Sequence, residues 1–258
     1  MSVDFSMKGK VAIVTGGSKG IGRAIALTFA EHGANVTIAA RGEDALARTK
    51  AEIEATGRRC LAVTANMAKE EDWKRLVDET IAAFGGVDVL VNGAAASSNF
   101  GPVENTDSKR WDLVMKVNVK AAWALSSLCL PSMRTRGGGA IIHITSNEGL
   151  RPTFGMGAYS VSKGALVTLT QLCGKEWAPH KVRVNCIAPG LVRTEMAAPL
   201  VAMFEKQGKL PNPMQRVGEP DDIAGIALFL ASDAGIYATG QNFTIDGGEL
   251  VLAPTDAL

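Results

Sequence analysis

Apolar residues occur along this chain in two alternating patterns. The run Lys10 to Thr15 (KVAIVT) is short and unbroken, which is typical of a strand buried on both faces. Between 73 and 84 the apolar residues recur every three or four positions, which predicts a helix with one buried face. The first pattern predicts strands near 10–15, 35–40, 59–64, 87–92, 139–145, 182–187 and 242–245. The second, with glycines at element ends, predicts helices near 20–32, 43–56, 70–84, 107–135, 158–178 and 220–231.

The alternation of strands and helices predicts an α/β fold. We expect a Rossmann-type, doubly wound sheet of about seven parallel strands, with helices on both faces. The 258 residues contain no linker, low-complexity tract or clear repeat, so we expect a single domain over 1–258. In such sheets ligands bind beyond the carboxyl ends of the strands. The residues that follow each strand are therefore the candidates for function.

A glycine-rich turn follows the first predicted strand. Residues 16–22 read GGSKGIG, with the spacing G-x-x-x-G-x-G, and a predicted helix starts within them. Glycine permits backbone angles and close approaches that a side chain would block, and a helix start offers free N–H groups to a phosphate. A plain tight turn is the alternative interpretation. The position between strand and helix favours dinucleotide binding by Gly16, Ser18, Lys19, Gly20, Ile21 and Gly22.

The end of the second predicted strand indicates which dinucleotide is bound. Dinucleotide folds place an acidic residue there for the ribose hydroxyls of NAD, or an Arg for the phosphate of NADP. Here Ala40 occupies the acidic position and Arg41 follows, while Lys19 could reach the same phosphate. Both cations could instead be ordinary surface residues, and Glu43 and Asp44 follow closely. Together the two cations favour NADP(H), with NAD(H) as the alternative.

The segment 159–163 (YSVSK) places Tyr159 and Lys163 four residues apart, on one face of a predicted helix. A phenol has a pKa near ~10, and a cation beside it favours the phenolate and brings the group into working range. Ser146, at the end of the fifth predicted strand, could hydrogen-bond a substrate oxygen next to this phenol. An isolated Tyr and Lys at this spacing would more often be surface residues. Together with the glycine turn, they predict proton transfer at a carbonyl or alcohol oxygen.

Several motifs stand in the order typical of one enzyme family. Over Met7 to Gly248 the chain resembles the short-chain dehydrogenase/reductase family, in its soluble, single-domain branch. The resemblance implies an oxidoreductase that transfers hydride between NADP(H) and a ketone, an aldehyde or a secondary alcohol. A softer resemblance points to the NADPH-dependent carbonyl reductases of that family. The matching segments are TGGSKGIG at 15–22, VNGAA at 91–95, KVNVKA around Asn118, ITS at 144–146, YSVSK at 159–163, NCIAPGLVRT at 185–194 and TGQNFTIDGG at 239–248.

The resemblance assigns catalytic roles at the matching positions. Tyr159 would be the general acid when a ketone is reduced and the base when an alcohol is oxidised. Lys163 would lower the pKa of Tyr159 and bind the nicotinamide ribose. Ser146 would hold the carbonyl oxygen, although its hydroxyl could instead cap a turn. Asn118 would brace a water that links Lys163 to solvent, although its amide could simply satisfy backbone groups.

The same resemblance assigns further cofactor contacts. Two positions depart from the family pattern: Asn66 stands where an Asp usually lies beside the adenine, and Gly93-Ala94-Ala95 replaces Asn-Ala-Gly. Neither change removes the expected contact. The implied residues are Asn66, Met67, Asn92, Gly93 and Ala94 near the adenosine, and Pro189, Gly190, Val192 and Thr194 near the nicotinamide, where Tyr159 and Lys163 also lie.

The substrate pocket is expected to form from 95–100, 147–154 and 195–215. Predicted substrate contacts are Ser146, Glu148, Phe154, Tyr159 and Met196, and Glu148 is the one nearby charge that could contact a polar substrate group. The stretch 195–215 carries methionines at roughly helical spacing. We interpret it as a mobile lid over an apolar site, or equally as a contact with a partner subunit.

Bulk properties narrow the class of protein. The net charge is +1 with no basic run, so nothing indicates a nucleic-acid partner. No Cys/His cluster has metal-ligand spacing, so no metal is expected, and the four cysteines have the placement of reduced thiols. The N-terminal residues lack the apolar core of a signal peptide, and no apolar stretch is judged long enough to span a bilayer. We therefore expect a cytoplasmic protein without a membrane partner.

Assembly and two alternative functions complete the predictions. The predicted helices at 107–135 and 158–178 carry more apolar residues than one sheet face can cover, and relatives pair them, so we expect a homotetramer. A NAD-preferring alcohol dehydrogenase is the nearest alternative function. An enoyl-thioester reductase is disfavoured because that variant is known for a longer Tyr-to-Lys spacing. A non-catalytic dinucleotide sensor is disfavoured because it needs no acid–base pair.

Overall fold

A computed structural model describes residues 3–98 and 100–251 of the chain. Within these residues strands and helices alternate as the apolar patterns predict. The strands are β1 Val11–Thr15, β2 Asn35–Ala40, β3 Cys60–Thr64, β4 Val89–Asn92, β5 Gly139–Ile144, β6 Val182–Pro189 and β7 Asn242–Ile245. The α-helices are α1 Gly20–Glu31, α2 Glu43–Ala55, α3 Glu70–Phe84, α4 Ser108–Met115, α5 Ala121–Thr135, α6 Gly157–Trp177, α7 Ala198–Gln207 and α8 Pro220–Ala231.

The seven strands form one parallel sheet in the order β3-β2-β1-β4-β5-β6-β7. All five residues of β1 are buried, because the strand lies in the interior of the sheet and helices cover both faces. The strand order reverses between β1 and β4, so their following loops diverge and leave a cleft at the carboxyl edge. The predicted α/β fold with a doubly wound sheet is confirmed.

Two apolar layers hold the helices on the sheet. Along β1, Ala12 and Val14 face the layer formed with α1, α2 and α8, whereas Ile13 faces the layer formed with α3, α5 and α6. Phe29 of α1 and Leu125 of α5 are fully buried in these two layers. The alternation of side chains along each strand thus divides the core into two halves. The predicted reduced thiols Cys60, Cys129, Cys173 and Cys186 are all buried and unpaired in disulfides.

Two elements differ from the predictions. The helix expected over 107–135 is divided into α4 and α5 by a π-helical turn at Lys116–Lys120. The stretch 195–215 contains the helix α7, which is not among the predicted helices although the methionines there have roughly helical spacing. A single inserted residue in a helical turn leaves no trace in apolar periodicity, which explains the first difference.

The expectation about membrane-spanning stretches also needs correction. The helical run Ser108–Thr135, with 28 residues, is long and apolar enough by length and composition to cross a bilayer. In the fold, 56% of its most apolar window is buried, and α5 packs on β4, β5 and α3. The run is therefore apolar because it forms a core helix, and its composition is only weak evidence for a membrane-spanning segment.

Candidate active site

The carboxyl edge of the sheet brings together the predicted acid–base residues. Ser146 follows β5 directly, and Tyr159 lies in the first turn of α6, which packs against the loop after β5. The side chains of Tyr159 and Ser146 lie close together, and hydrogen bonding by Ser146 lowers the pKa of the phenol. Lys163 Nζ lies 5.4 Å from the centre of the Tyr159 ring, as the helical spacing predicts. Two hydroxyls and one ammonium therefore meet at one point of the cleft.

Burial governs the proton affinities of this group. It raises the pKa of Tyr159 to about 12, while the hydrogen bond with Ser146 lowers that pKa and the charge of Glu148 raises it. The expectation that Lys163 brings the pKa of Tyr159 into working range is therefore not met. Burial lowers the pKa of Lys163 to about 8, and its Nζ donates to the Ile144 carbonyl at 2.7 Å. At neutral pH the phenol is protonated and can donate.

Asn118 lies at the centre of the π-helical turn and is buried. Its Oδ1 accepts from the backbone N–H of Ala96 at 2.7 Å, and its Nδ2 donates to the Ala96 carbonyl and to Ser162 Oγ, both at 2.9 Å. The side chain thus satisfies backbone groups and ties the loop after β4 to α6. These contacts match the structural alternative for Asn118, and its role in bracing a water stays a prediction.

Two serines next to Tyr159 fix its position, and the sequence analysis assigned neither of them a role. Ser160 Oγ donates to Glu148 Oε2 at 2.8 Å, whereas Ser162 Oγ receives the amide of Asn118. Both serines are buried, and they contact different elements: Ser160 the loop after β5 and Ser162 the π-helical turn. The first turn of α6 is therefore held from both sides. In the sequence, the two serines of the segment YSVSK could have indicated such contacts, because each lies within three residues of Tyr159.

The glycine turn is packed too tightly for side chains at two positions. A Cβ on Gly22 would overlap the carbonyl oxygen of Gly16, and Gly20, at φ +54°, would bring a Cβ within 3.2 Å of Thr194. The N-cap residue Lys19 makes no side-chain hydrogen bond to the first turn of α1. The first N–H groups of α1 therefore stay available to a phosphate, which fits the predicted pyrophosphate site.

The loop after β4 lines the other side of this cleft. The backbone N–H groups of Gly93 and Ala94 donate to Thr15 Oγ1 at 3.1 and 3.2 Å, which joins the ends of β4 and β1. Asn92 donates to Ser126 Oγ at 3.3 Å, while its buried Oδ1 has no hydrogen-bond partner among the described residues. An unsatisfied buried acceptor at the switch point fits a polar ligand group. The residues present thus fit a nicotinamide dinucleotide.

The ribose end of the cleft is cationic. Arg41 is exposed directly after β2, and the partly buried Ala40 places no carboxylate there. Lys19 forms an ion pair with Glu195, with Nζ and Oε2 2.5 Å apart, and both side chains are mostly exposed. An exposed pair of this kind is weak and exchanges partners readily. Among the residues that the structure describes, Arg41 has no ion-pair partner, whereas Lys19 must leave Glu195 to reach a phosphate.

The remaining predicted cofactor residues lie after β3 and β6. Asn66 Oδ1 accepts from the N–H of Ala68 at 3.0 Å, and the buried Met67 accepts the Trp73 indole N–H at 3.1 Å through its carbonyl. After β6, a Cβ on Gly190 would lie 2.8 Å from Asp246, so the backbone there is closely packed. Thr194 Oγ1 accepts from the N–H of Ala197. Pro189 ends β6, and Val192 forms a parallel bridge with Gly218.

The expected substrate side combines aromatic surface with a held carboxylate. Phe154 is 75% exposed and packs edge-to-face on Phe100, with ring centres 6.4 Å apart. Phe100 was predicted only as part of a lining segment. Met196 is also exposed, before α7. Glu148 does not point freely into solvent, because Thr153 and Ser160 both donate to its carboxylate.

His143 is a buried residue of this region that sequence reasoning missed. It lies on β5 opposite Asn92 on β4, is fully buried, and neither ring nitrogen has a partner among the described residues. Burial and, to a smaller extent, the charge of Lys163 lower its pKa to about 3. The imidazole is therefore neutral. The sequence could not predict this placement, because a single histidine in an apolar strand has no neighbouring pattern that indicates its partners.

Comparison with known proteins agrees with this geometry. A family model described as enoyl-(acyl carrier protein) reductase matches residues 16–249. Dehydrogenase/reductase SDR family member 4 from Oryctolagus cuniculus is 37% identical over 244 residues, which are 93% of this chain and 93% of that protein. These matches extend over both the glycine turn and the acid–base residues.

Solved structures extend the similarity to three dimensions. L-sorbose reductase from Gluconobacter frateurii, complexed with NADPH and L-sorbose, has a TM-score of 0.91 and 34% identity, covering 97% of this chain and 100% of the other. A 7α-hydroxysteroid dehydrogenase complexed with NADH has a TM-score of 0.91 and 33% identity, covering 96% and 97%. The chain belongs to the short-chain dehydrogenase/reductase family and is an NAD(P)-dependent dehydrogenase or reductase.

Proposed function

We propose that this protein is an NADP(H)-dependent oxidoreductase that interconverts a ketone or aldehyde and its alcohol, with Tyr159 as general acid/base. The observation that carries the proposal is the convergence of Tyr159, Ser146 and Lys163 at the carboxyl edge of the sheet, where Ser146 lowers the pKa of the phenol and Lys163 Nζ lies 5.4 Å from its ring centre. Hydride arrival at a carbonyl carbon builds negative charge on its oxygen. Two hydroxyl donors that converge on that oxygen stabilise the charge.

In the reductive direction, the bound cofactor supplies the hydride and the protein supplies the proton. Tyr159 is neutral at physiological pH, because burial raises its pKa, so it is ready to donate. Ser146 Oγ is positioned by accepting from the N–H of Glu148. Its proton is donated to Asn147 Oδ1 at 3.1 Å and must turn from Asn147 to the carbonyl oxygen when substrate binds. Lys163, with its pKa lowered to about 8, can then exchange a proton with the phenolate. The oxidative direction runs through the same groups in reverse.

The preference for NADP(H) rests on charge at the ribose end. Arg41 is exposed directly after β2 and no acidic side chain occupies position 40. A phosphate dianion would be attracted to Arg41 and repelled by the carboxylate that NAD-binding folds place there. The similar structures hold either NADPH or NADH, so the scaffold accommodates both cofactors.

Enoyl-thioester reduction remains the second candidate, because the matching family model carries that description. Tyr159 and Lys163 are four residues apart, and the resemblance associates that reaction with a longer spacing. Carbonyl reduction is therefore preferred. The sensor alternative fits less well, since a sensor has no use for a phenol, a serine and a buried lysine that converge.

Assembly and location belong to the same proposal. We propose a homotetramer in the cytoplasm, with 195–215 acting as a lid over the substrate. Supporting the assembly, an apolar groove of about 540 Å³ runs along α4 and α5, lined by Trp111, Met115, Val119 and Trp123. Trp123 on α5 and Leu172 on α6 are 50% and 52% exposed. Exposed apolar surface of this kind commonly marks a subunit contact.

The Tyr159→Phe variant tests the function. We expect cofactor affinity to be retained and turnover to fall by several orders of magnitude, because only the transferable proton is lost. NADPH and NADH consumption would be measured with ketones, aldehydes, dicarbonyls and enoyl thioesters, and cofactor binding by fluorescence. Unchanged turnover in the variant would refute the role of Tyr159. Preferential consumption with enoyl thioesters would favour the second candidate.

A further inference from the structure

The carboxylate of Glu148 joins two segments that must meet for catalysis. Its Oε2 accepts from Ser160 Oγ at 2.8 Å and from the N–H of Thr153 at 3.0 Å, and its Oε1 accepts from Thr153 Oγ1 at 2.6 Å. Thr153 belongs to the loop between β5 and α6, and Ser160 follows Tyr159. One side chain therefore closes this loop onto the turn that carries the phenol.

Glu148 is also tied to the serine of the site. Its backbone N–H donates to Ser146 Oγ at 3.2 Å, so the backbone of Glu148 holds Ser146 while its side chain holds Ser160, the residue after Tyr159. Ser146 and Ser160 are both buried. Hydrogen bonds to a charged acceptor are stronger than neutral ones, and they hold geometry better. The separation between the two hydroxyl donors thus depends on Glu148.

From these contacts we propose that Glu148 is a positioning residue, which sets the distance between Ser146 and Tyr159 and holds a negative charge beside the phenol. This inference rests on the proposed function and replaces the expectation that Glu148 contacts substrate. A nearby anion stabilises the neutral phenol, which is the form that donates during carbonyl reduction. The charge of Glu148 accordingly raises the pKa of Tyr159, beyond the larger effect of burial.

Few other charges act on the phenol. Lys163 lies on the same helix face, and the neutral His143 lies beyond it on β5. Charged groups on the other elements that pack on α6 have other partners or are exposed. Arg110 donates to the Ser97 carbonyl, and Arg183 donates to the Gly235 and Ser232 carbonyls. Lys116 and Lys120 pair with Glu70, while Lys109 and Asp112 are exposed to solvent. Removal of the Glu148 charge should therefore lower the pKa of the Tyr159 phenol.

The matched variants Glu148→Gln and Ser160→Ala distinguish two effects of Glu148: positioning of Tyr159 and the negative charge beside its phenol. Glu148→Gln removes the charge with little change of shape, whereas Ser160→Ala removes one hydrogen bond and keeps the charge. We expect kcat to fall about 10-fold to 100-fold in both, through misplacement of Tyr159. Only Glu148→Gln should move the rising limb of the pH profile for alcohol oxidation to lower pH, because oxidation needs the phenolate.

A second readout does not depend on turnover. The chain has two tyrosines, and the other, Tyr237, is fully exposed. In a Tyr237→Phe background, ultraviolet absorbance of tyrosinate reports Tyr159 alone, and Glu148→Gln should begin to ionise at lower pH than its parent. An inactive parent would refute the proposed function, while this titration would still decide the effect of Glu148.

Three results would overturn the inference. These are identical pH profiles and titrations in the parent and Glu148→Gln, a rise in KM confined to one substrate class with kcat unchanged, or equal pH shifts in Glu148→Gln and Ser160→Ala. Circular dichroism and thermal unfolding select the variants that fold. If Glu148→Gln does not fold, Thr153→Val removes a donor to the same carboxylate and should lower kcat without raising KM; unchanged kcat would count against the proposal.

Discussion

Burial sets the proton affinities of the ionisable groups at the carboxyl end of β5. Tyr159 has its pKa raised to about 12, Lys163 has its pKa lowered to about 8, and His143 has its pKa lowered to about 3. All three shifts favour the neutral form, since removing a charge from water is costly. At neutral pH the phenol and the imidazole are therefore neutral, while Lys163, with a pKa of about 8, still carries most of its positive charge and is closer to releasing a proton than an exposed lysine.

The buried His143 makes a testable contribution to acid stability. Its folded pKa of about 3 lies below the unfolded value of 6.5, so the unfolded chain binds a proton that the folded chain does not. Stability should therefore fall as the pH drops from about 6.5 towards 3, with a slope of up to about 1.4 kcal/mol per pH unit. In His143→Leu this part of the slope should disappear in denaturant unfolding curves. The same substitution at the exposed His180 controls for loss of a histidine.

The proposed preference for NADP(H) depends on one exposed guanidinium, that of Arg41. Arg41→Ala should weaken NADPH binding about 10-fold or more, as expected for a charged hydrogen bond to phosphate, and leave NADH binding nearly unchanged. Dissociation constants for both cofactors measure this, with the exposed Arg58, away from the glycine turn, changed to Ala as the control. An equal loss for the two cofactors would mean that Arg41 does not contact the ribose phosphate.

The glycine turn acts as a unit with the start of α1 and the segment after β6. Gly16 and Gly22 contact each other through the backbone, and Gly20 lies against Thr194. Lys19 and Glu195 add an ion pair between the same two segments. The glycine turn is thus packed against the start of the stretch 195–215. Under the proposed function, where the first binds phosphate and the second covers the substrate, a change in one segment is expected to affect the other.

Substitution of two glycines should have opposite effects on stability. Gly22→Ala places a methyl group against the Gly16 carbonyl, and we expect about 1–3 kcal/mol of destabilisation with weakened cofactor binding. Gly225 is an exposed position of helix α8 with open space around it, so Gly225→Ala should stabilise by about 0.5–1 kcal/mol. Thermal or denaturant unfolding measures both. A neutral Gly22→Ala would show that the turn has room to move.

Across the whole molecule, the exposed apolar faces of α4, α5 and α6 remain to be covered. If they pair between subunits, sedimentation velocity should give a multiple of the chain mass. Trp123→Glu should then shift the protein to smaller species, because an uncompensated carboxylate would be buried at the contact. Ile81→Glu, at an exposed apolar residue of α3, is the matched control. A parent protein that sediments as one chain would contradict the proposed tetramer.

Local pattern was sufficient to predict most of the fold. The strand runs are apolar because the sheet is covered on both faces, and residues such as Trp73 and Leu76 recur at helical spacing because one helix face is buried. Motif order identified the family, since the glycine turn and the Tyr159–Lys163 pair are short segments whose geometry follows from spacing alone. These features are encoded within a few neighbouring residues, so they can be read along the chain.

Contacts between distant segments were decided only when the chain folded. Glu148 bonds to Ser160, Lys19 pairs with Glu195, and His143 is buried beside Asn92 without a partner. No local pattern encodes these contacts, because each depends on which loops meet at the sheet edge. The direction of the pKa shift at Tyr159 was mispredicted for the same reason: spacing shows a nearby cation, whereas burial is a property of the packed site.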